Sequence, residues 1–329
     1  MSPRLQWMLR LTASVVLLAV LFRIVPFAEV RAHASRLPFP IWLAIFGLFL
    51  AGHQLGVVKW RALVNACRAR VPMRAATRAY FAGLFANLYL PSIIGGDVLR
   101  GALIGRGSGR PEAAVLGGLA DRLLDIATMG ILIAGGLLAA RESIPGAGGE
   151  AATALVLVVA GGAALFLPLA IRRPIRSWPR KARRPIGRIL VALRRLSRSP
   201  GSAALAFVLS LAIQALFVLL NAWIGRSIGI DVSIGVWFIA WPLAKLAALL
   251  PISIGGLVVR EAALAGVLSQ FGVPVALGTV AGLLWQTVNF SGGLFGGLVW
   301  WALGLRSSGA DADSTTTVGT IAARQNGYA

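Results

Sequence analysis

Leu90 to Arg100 reads LPSIIGGDVLR, and Leu250 to Arg260 reads LPISIGGLVVR. The two share Leu-Pro, three residues, Gly-Gly, three residues and Arg in one register, 160 positions apart. Both lie in strongly apolar surroundings. Pro lacks a backbone N–H and Gly weakens a helix interior, so neither stretch suits a plain spanning helix. A shared pattern of this length marks a duplicated membrane fold and locates its working site.

The rest of the 329-residue chain has the composition of a polytopic membrane protein. It is 57% hydrophobic and 13% charged, against about 25% charged in soluble domains, and its mean hydropathy is +0.80. The net charge of +21 comes from 32 basic and 11 acidic residues. The basic residues stand between apolar runs, which fits the positive-inside rule and anionic headgroups rather than nucleic acid. A lone cysteine, Cys67, excludes an intrachain disulfide. The sequence has no metal-ligand spacing, no phosphate loop and no nucleophile–base set, so no cofactor, metal or catalytic residue is expected.

Charge placement orders the spans. Span 1 covers about 9–27 and reads as uncleaved, with Ala32-His33-Ala34 as a competing cleavage site. Span 2 covers about 40–58. The connection 59–78 holds Lys59, Arg61, Arg68, Arg70, Arg74 and Arg78 and no acid, which places it in the cytoplasm. The apolar stretch Ala79–Ile94 is then broken by Pro91 and Gly95-Gly96 and followed by Arg100, Arg106 and Arg110. A re-entrant hairpin, entering and leaving on the cytoplasmic face, satisfies basic flanks on both sides. Irregular backbone at membrane depth is allowed where protein or water covers it.

Span 3 covers about 113–139 and span 4 about 151–171. The loop 172–200, with eleven Arg or Lys and no acid, is cytoplasmic. Pro174, Pro179 and Pro185 break its first part, and Gly187–Arg198 suits a short basic surface helix. After span 5, about 202–222, Val236–Leu250 meets the second break. A short helix, Arg260–Phe271, and a last apolar run, 275–304, follow. That run tilts or breaks near Gly292-Gly293, where small-xxx-small spacing favours close packing. The tail 305–329 reads as disordered. The expected fold is an all-α polytopic membrane protein of about six full spans plus two re-entrant hairpins, eight membrane segments in all. Its halves, about 40–139 and 202–304, form an inverted repeat. Both termini are cytoplasmic, and the second hairpin opens from the outer face.

Ionisable side chains inside a membrane are costly and mark sites. Asp97 and Arg100, three apart, share a face of a helix opening at Gly96. Asp121 and Asp125 share a face of span 3, with Arg122 pointing elsewhere. Arg260 and Glu261 begin the matching helix of the second half. Two readings stand. In one, a polar cavity between the halves takes a phosphate. Arg100 and Arg260 hold it through guanidinium forks, and the helix N-termini after Gly95-Gly96 and Gly255-Gly256 add backbone N–H groups. Asn87, Pro91 and Pro251 shape the hairpins. In the other reading, the charges pair with one another and lock the hairpins. Lys245 has no counterpart, Phe85 standing at its place, and reads first as snorkelling. Gln214, Asn221, Gln286 and Asn289 read as links between helices, and His53 as a packed polar residue. Trp42, Trp223, Trp237, Trp241, Trp300 and Trp301 read as interfacial belts.

Three motifs together resemble one family: Asn87-Leu-Tyr-Leu-Pro91 through Gly95-Gly96-Asp97 to Arg100, Asp121-Arg122-Leu-Leu-Asp125, and Leu-Pro251 through Gly255-Gly256 to Arg260-Glu261. They are similar to the lysylphosphatidylglycerol synthase transmembrane-region family, also described as flippase-like, over about 10–304. The resemblance implies a bacterial inner-membrane protein that moves or handles lipids with modified headgroups or polyprenyl carriers. Full-length synthases carry a cytosolic aminoacyl-transferase domain after the membrane part. Here residues 305–329 follow the last span, so synthase activity is not expected. The expectation is a lipid translocator without enzyme activity, whose partners are lipids with an anionic or lipid-linked headgroup. Alternatives are a non-transporting partner of a lipid- or glycolipid-modifying enzyme, and an integral-membrane lipid transferase using Asp97 or Asp121 as base.

Overall fold

The computed structural model describes residues 27–88, 95–141, 183–249 and 258–325. Spans 1 and 4 lie outside these residues, as do Pro91, Pro251, Gly255 and Gly256. Ten helices and no strand occur among the described residues: α1 Phe27–Ala34, α2 Phe39–Ala66, α3 Met73–Ala86, α4 Gly95–Ser108, α5 Pro111–Ala139, α6 Arg183–Ser197, α7 Pro200–Ile228, α8 Ile234–Ala247, α9 Val259–Ser269 and α10 Val275–Gln325.

Three of these, α2, α5 and α7, are long and apolar enough to cross a membrane. Each carries a proline in its first turn (Pro40, Pro111, Pro200), where no intrahelical donor is lost. The α2 helix runs past the expected end of span 2 to Ala66. Lys59, assigned from sequence to the cytoplasmic connection, is instead buried inside it. The connection shrinks to 67–72 and is tied from all sides. Arg61 donates to the Val71 carbonyl (2.9 Å), and Asn65 bonds Val71 through both its side-chain atoms. Arg110 donates to the Arg68 carbonyl (2.6 Å) and Arg195 to that of Cys67 (3.0 Å). Arg68 and Arg70 sit at φ 73° and 56°, a conformation that costs an L-residue roughly 1–2 kcal/mol and that these bonds hold in place. Burial pushes the Cys67 thiol up from its ordinary value, leaving it a poor nucleophile.

The broken stretches fold as paired short helices. The α3, α4 and α8 helices have 14 residues each and α9 has 11. At 1.5 Å per residue each is about 21 Å or less, short of the ~30 Å hydrocarbon core. The α3 and α4 helices run antiparallel. Gly83 lies against Gly96 and the Cβ of Arg100, and further along Ala79 and Ile104 line one groove. The α8 and α9 helices also pack on each other.

The packing has an exchange pattern. The first arm of each hairpin packs on the long helix that follows the other hairpin: α3 on α10, and α8 on α5. Each second arm packs on its own successor, α4 on α5 and α9 on α10. At the centre α2 packs on α7. These two are antiparallel: Arg36, before α2, reaches Gly229 at the end of α7, and Gly52 meets Phe217. Swapping α2–α5 with α7–α10 maps the α2–α7 pair onto itself and every other of these pairings onto its counterpart.

Further expectations change. The α10 helix is unbroken at Gly292-Gly293. Its assigned end is Gln325. Gly293 and Gly297 seat Leu88 and Phe85, while Gly296 meets the Phe81 carbonyl, the close approach that the small-residue spacing anticipates. Pro185 sits in the first turn of α6 and does not break it. The basic helix buries Leu190, Ala192 and Leu196 on protein, against α5 and α7. Trp237 and Trp241, expected in an interfacial belt, are buried in the core. Trp237 covers Gly225, and Trp241 meets Trp285 edge-on at 5.0 Å. Trp223, Trp300 and Trp301 are exposed, as a belt requires.

Candidate functional site

The arms of both hairpins border a cavity of about 210 Å³ lined from eight helices, α2 to α5 and α7 to α10. Asn87, the residue after α3, accepts a hydrogen bond from the Gly96 N–H at 2.9 Å. It thereby satisfies one of the orphan donors at the start of α4. A Cβ on Gly96 would collide with the Gly83 carbonyl; the missing side chain lets the two arms touch. Asp97, the next residue, and Arg100, one turn on, both line the cavity.

One wall is a chain of alternating charges. Asp125 pairs with Lys59 (2.6 Å), and Lys59 with Asp121 (2.9 Å). Asp121 pairs with Arg100 (2.6 Å), Arg100 with Asp97 (3.1 Å), and Asp97 with Arg122. Three carboxylates and three cations alternate and cancel. Ser210 donates to Asp125 at 2.7 Å. The Arg100 guanidinium also lies 4.9 Å from the Trp60 ring and 5.3 Å from Tyr80. Such desolvated cation–π contacts are worth about 1–2 kcal/mol. Taking charges out of water costs several kcal/mol per ion and is offset only by close pairing of this kind.

On the opposite side, Arg260 pairs with Glu261 at 2.5 Å and donates to Gln286 of α10. Its guanidinium stands 5.7 Å over the Trp241 ring. Lys245, from α8, lines the same cavity. It donates to the Gln214 side-chain oxygen at 2.8 Å and lies 5.7 Å from the Phe217 ring. Among the described residues no carboxylate pairs with it. With Lys59, Arg100, Arg122, Lys245 and Arg260 set against Asp97, Asp121, Asp125 and Glu261, the described residues of the site hold one cation in excess. Three buried donors on cavity-lining residues have no hydrogen-bond partner among the described residues: Arg100 Nε, Arg260 Nε and the Trp241 indole N–H. Buried polar atoms are rarely left so, and these line a space with surplus positive charge.

Of the residues singled out from sequence, Asn87, Gly96, Asp97, Arg100, Asp121, Arg122, Asp125 and Arg260 line this cavity. Glu261 stands behind Arg260, and Gly95 opens α4. Pro91, Pro251, Gly255 and Gly256 fall outside the described residues. Arg122 does not point away from Asp121 and Asp125, because Asp97 of α4 draws it to the same cavity. Lys245 does not snorkel but turns inward. Gln214 and Gln286 link helices as expected, whereas Asn221 and Asn289 bond to their own helix at Phe217 and Trp285. His53 packs edge-on to Phe49 (4.4 Å) and lies 3.2 Å from the Tyr80 hydroxyl. Lys59 was missed as a site residue, although its place in an apolar run continuing to Ala66 was a readable signal.

Short hairpins swapped between long apolar helices, around a buried charged cavity, define a polytopic helical membrane protein. The chain belongs to the family described as Lysylphosphatidylglycerol synthase TM region, whose model matches residues 7–297. No curated protein and no solved structure matches it.

Proposed function

We propose that the protein moves a lipid with an anionic phosphate headgroup, a phospholipid or a lipid-linked sugar, across a bacterial inner membrane, and that it carries no synthase or other catalytic step. The observation behind this reading is the charge balance of the cavity. Among the described residues six charges cancel in one chain and two in a pair, leaving Lys245 as the surplus cation beside N–H groups of Arg260 and Trp241 that have no partner there. A phosphate oxygen is the natural acceptor for such a set, since hydrogen bonds between ionised groups are about twice as strong as neutral ones. The cavity's size suits a headgroup, with the acyl chains left in the bilayer.

The swapped packing and the antiparallel α2–α7 pair support an inverted repeat. A twofold axis relating antiparallel helices lies across them, in the membrane plane, as in many transporters with midplane sites. The hairpins would then open to opposite faces, the first and both termini to the cytoplasm, and alternate exposure would carry the headgroup across.

The test is a reconstituted assay. Vesicles containing a fluorescent-headgroup phosphatidylglycerol are exposed to an impermeant quencher, and the rate of headgroup exchange is measured. Lys245→Gln and Arg260→Gln should each slow it roughly tenfold or more, the scale of one hydrogen bond to a charged group. Wild-type rates in both, at equal incorporation, would sink the phosphate role.

A further inference from the structure

A second cavity, of about 510 Å³, opens between α3, α4 and α10, away from the charged centre. Its polar wall is Arg70, Arg74 and Arg78, spaced four apart from the tied connection into α3. Its apolar wall is Leu103 of α4 with Trp300 and Leu303 of α10. Among the described residues no acid lines it, and none of the three arginines pairs with a carboxylate. Arg74 donates to the Leu303 carbonyl at 3.4 Å. Arg78 Nε is buried with no hydrogen-bond partner among the described residues.

The groove is preorganised. Arg61 and Asn65 hold the Val71 backbone, which fixes Arg70 in its left-handed conformation at the rim. Its level is also marked. Trp300 and Trp301 are exposed beside it, and aromatic side chains of this kind settle at the headgroup boundary. Three guanidinium groups over an apolar trough match an anion carrying a hydrocarbon chain, and the volume is that of a small-molecule site rather than of a protein helix.

We propose that this groove binds an anionic membrane phospholipid from the leaflet on the basic-connection face. Arg70, Arg74 and Arg78 take the phosphate oxygens, and an acyl chain lies along Leu103, Trp300 and Leu303. The bound lipid bridges both arms of the first hairpin to the last helix. This site is separate from the central cavity and does not depend on transport through it.

The experiment uses the full chain in nanodiscs of phosphatidylcholine with a minor fraction of phosphatidylglycerol bearing a photoactivatable acyl chain. Crosslinked peptides are read by mass spectrometry. Label is expected on the segments around Leu103 and Trp300–Leu303. Arg74→Gln/Arg78→Gln should lower it by roughly tenfold or more, since each arginine near an anionic headgroup contributes on the order of fivefold. Arg106→Gln, which removes a nearby exposed charge outside the groove, should leave it unchanged. Unlabelled phosphatidylglycerol should compete, while phosphatidylcholine and inorganic phosphate should not. Three results would overturn the proposal. Equal loss with Arg106→Gln means diffuse surface charge. Equal competition by phosphatidylcholine means an apolar groove without headgroup recognition. Equal competition by inorganic phosphate means a soluble-anion site. Should the double variant not be monodisperse, Arg74→Gln alone, at an exposed position, carries the test with a loss of roughly fivefold; undiminished label there overturns the proposal equally.

Discussion

Asp121 and Lys245 show how differently two buried charges behave. Asp121 lies between Lys59 and Arg100 and serves both. Asp121→Asn leaves two cations facing each other without a carboxylate between them. It should cost about 3–5 kcal/mol, the usual result of removing one partner of a buried pair, seen as a lower unfolding temperature or loss of monodisperse protein in detergent. Lys245 has no carboxylate partner among the described residues, so Lys245→Gln should leave the unfolding temperature close to wild type while slowing headgroup exchange. Were the two variants to lose stability alike, Lys245 would be a lock rather than a ligand. The sequence marked Asp121, Asp125, Asp97 and Arg100 as a group because charges in apolar runs are conspicuous. It left Lys245 and Arg122 misplaced because their directions depend on partners on other helices, Gln214 and Asp97.

At the scale of the element, the hairpin breaks were legible because they are local chemistry. A proline a few residues from a glycine pair disfavours a continuous helix through the local backbone alone, and Asn87 caps the next helix across the break. Gly96 and Gly101 lie on the same short helix with opposite surroundings. A side chain on Gly96 meets the Gly83 backbone, whereas one on Gly101 meets nothing within 4 Å. Gly96→Val should therefore separate the arms and destabilise the protein by about 1–3 kcal/mol or more. Gly101→Ala should be neutral or stabilise it by up to about 1 kcal/mol. Comparing the two melting curves is sufficient, and equal curves would mean that the arms do not touch at Gly96. The end of α2 was not legible for the opposite reason. Lys59 looks like the start of a basic loop until Asp121 and Asp125, some sixty residues on, neutralise it inside the bundle.

At the scale of the whole molecule, the proposed inversion predicts that the two hairpins open to opposite faces. The ends of α4 and α9 carry the exposed residues Arg106 and Gln270. If the halves are inverted, Arg106→Cys should react with an impermeant maleimide only from the face of the basic connection, and Gln270→Cys only from the other. Cys67 is buried and its thiol is raised, so its background should be low. Labelling of both from one face would reject the inversion. The sequence by itself determined the membrane class, the family, the duplicated breaks and most of the charged residues that meet at the site. Apolar runs, helix breakers and the placement of charge act over a few residues, so they survive in the linear order. Only the tertiary structure decided that each hairpin packs on the other half's helix, that six charges cancel while Lys245 remains, and that three arginines border an apolar groove. Those outcomes depend on contacts between residues tens to hundreds of positions apart, which no local pattern encodes.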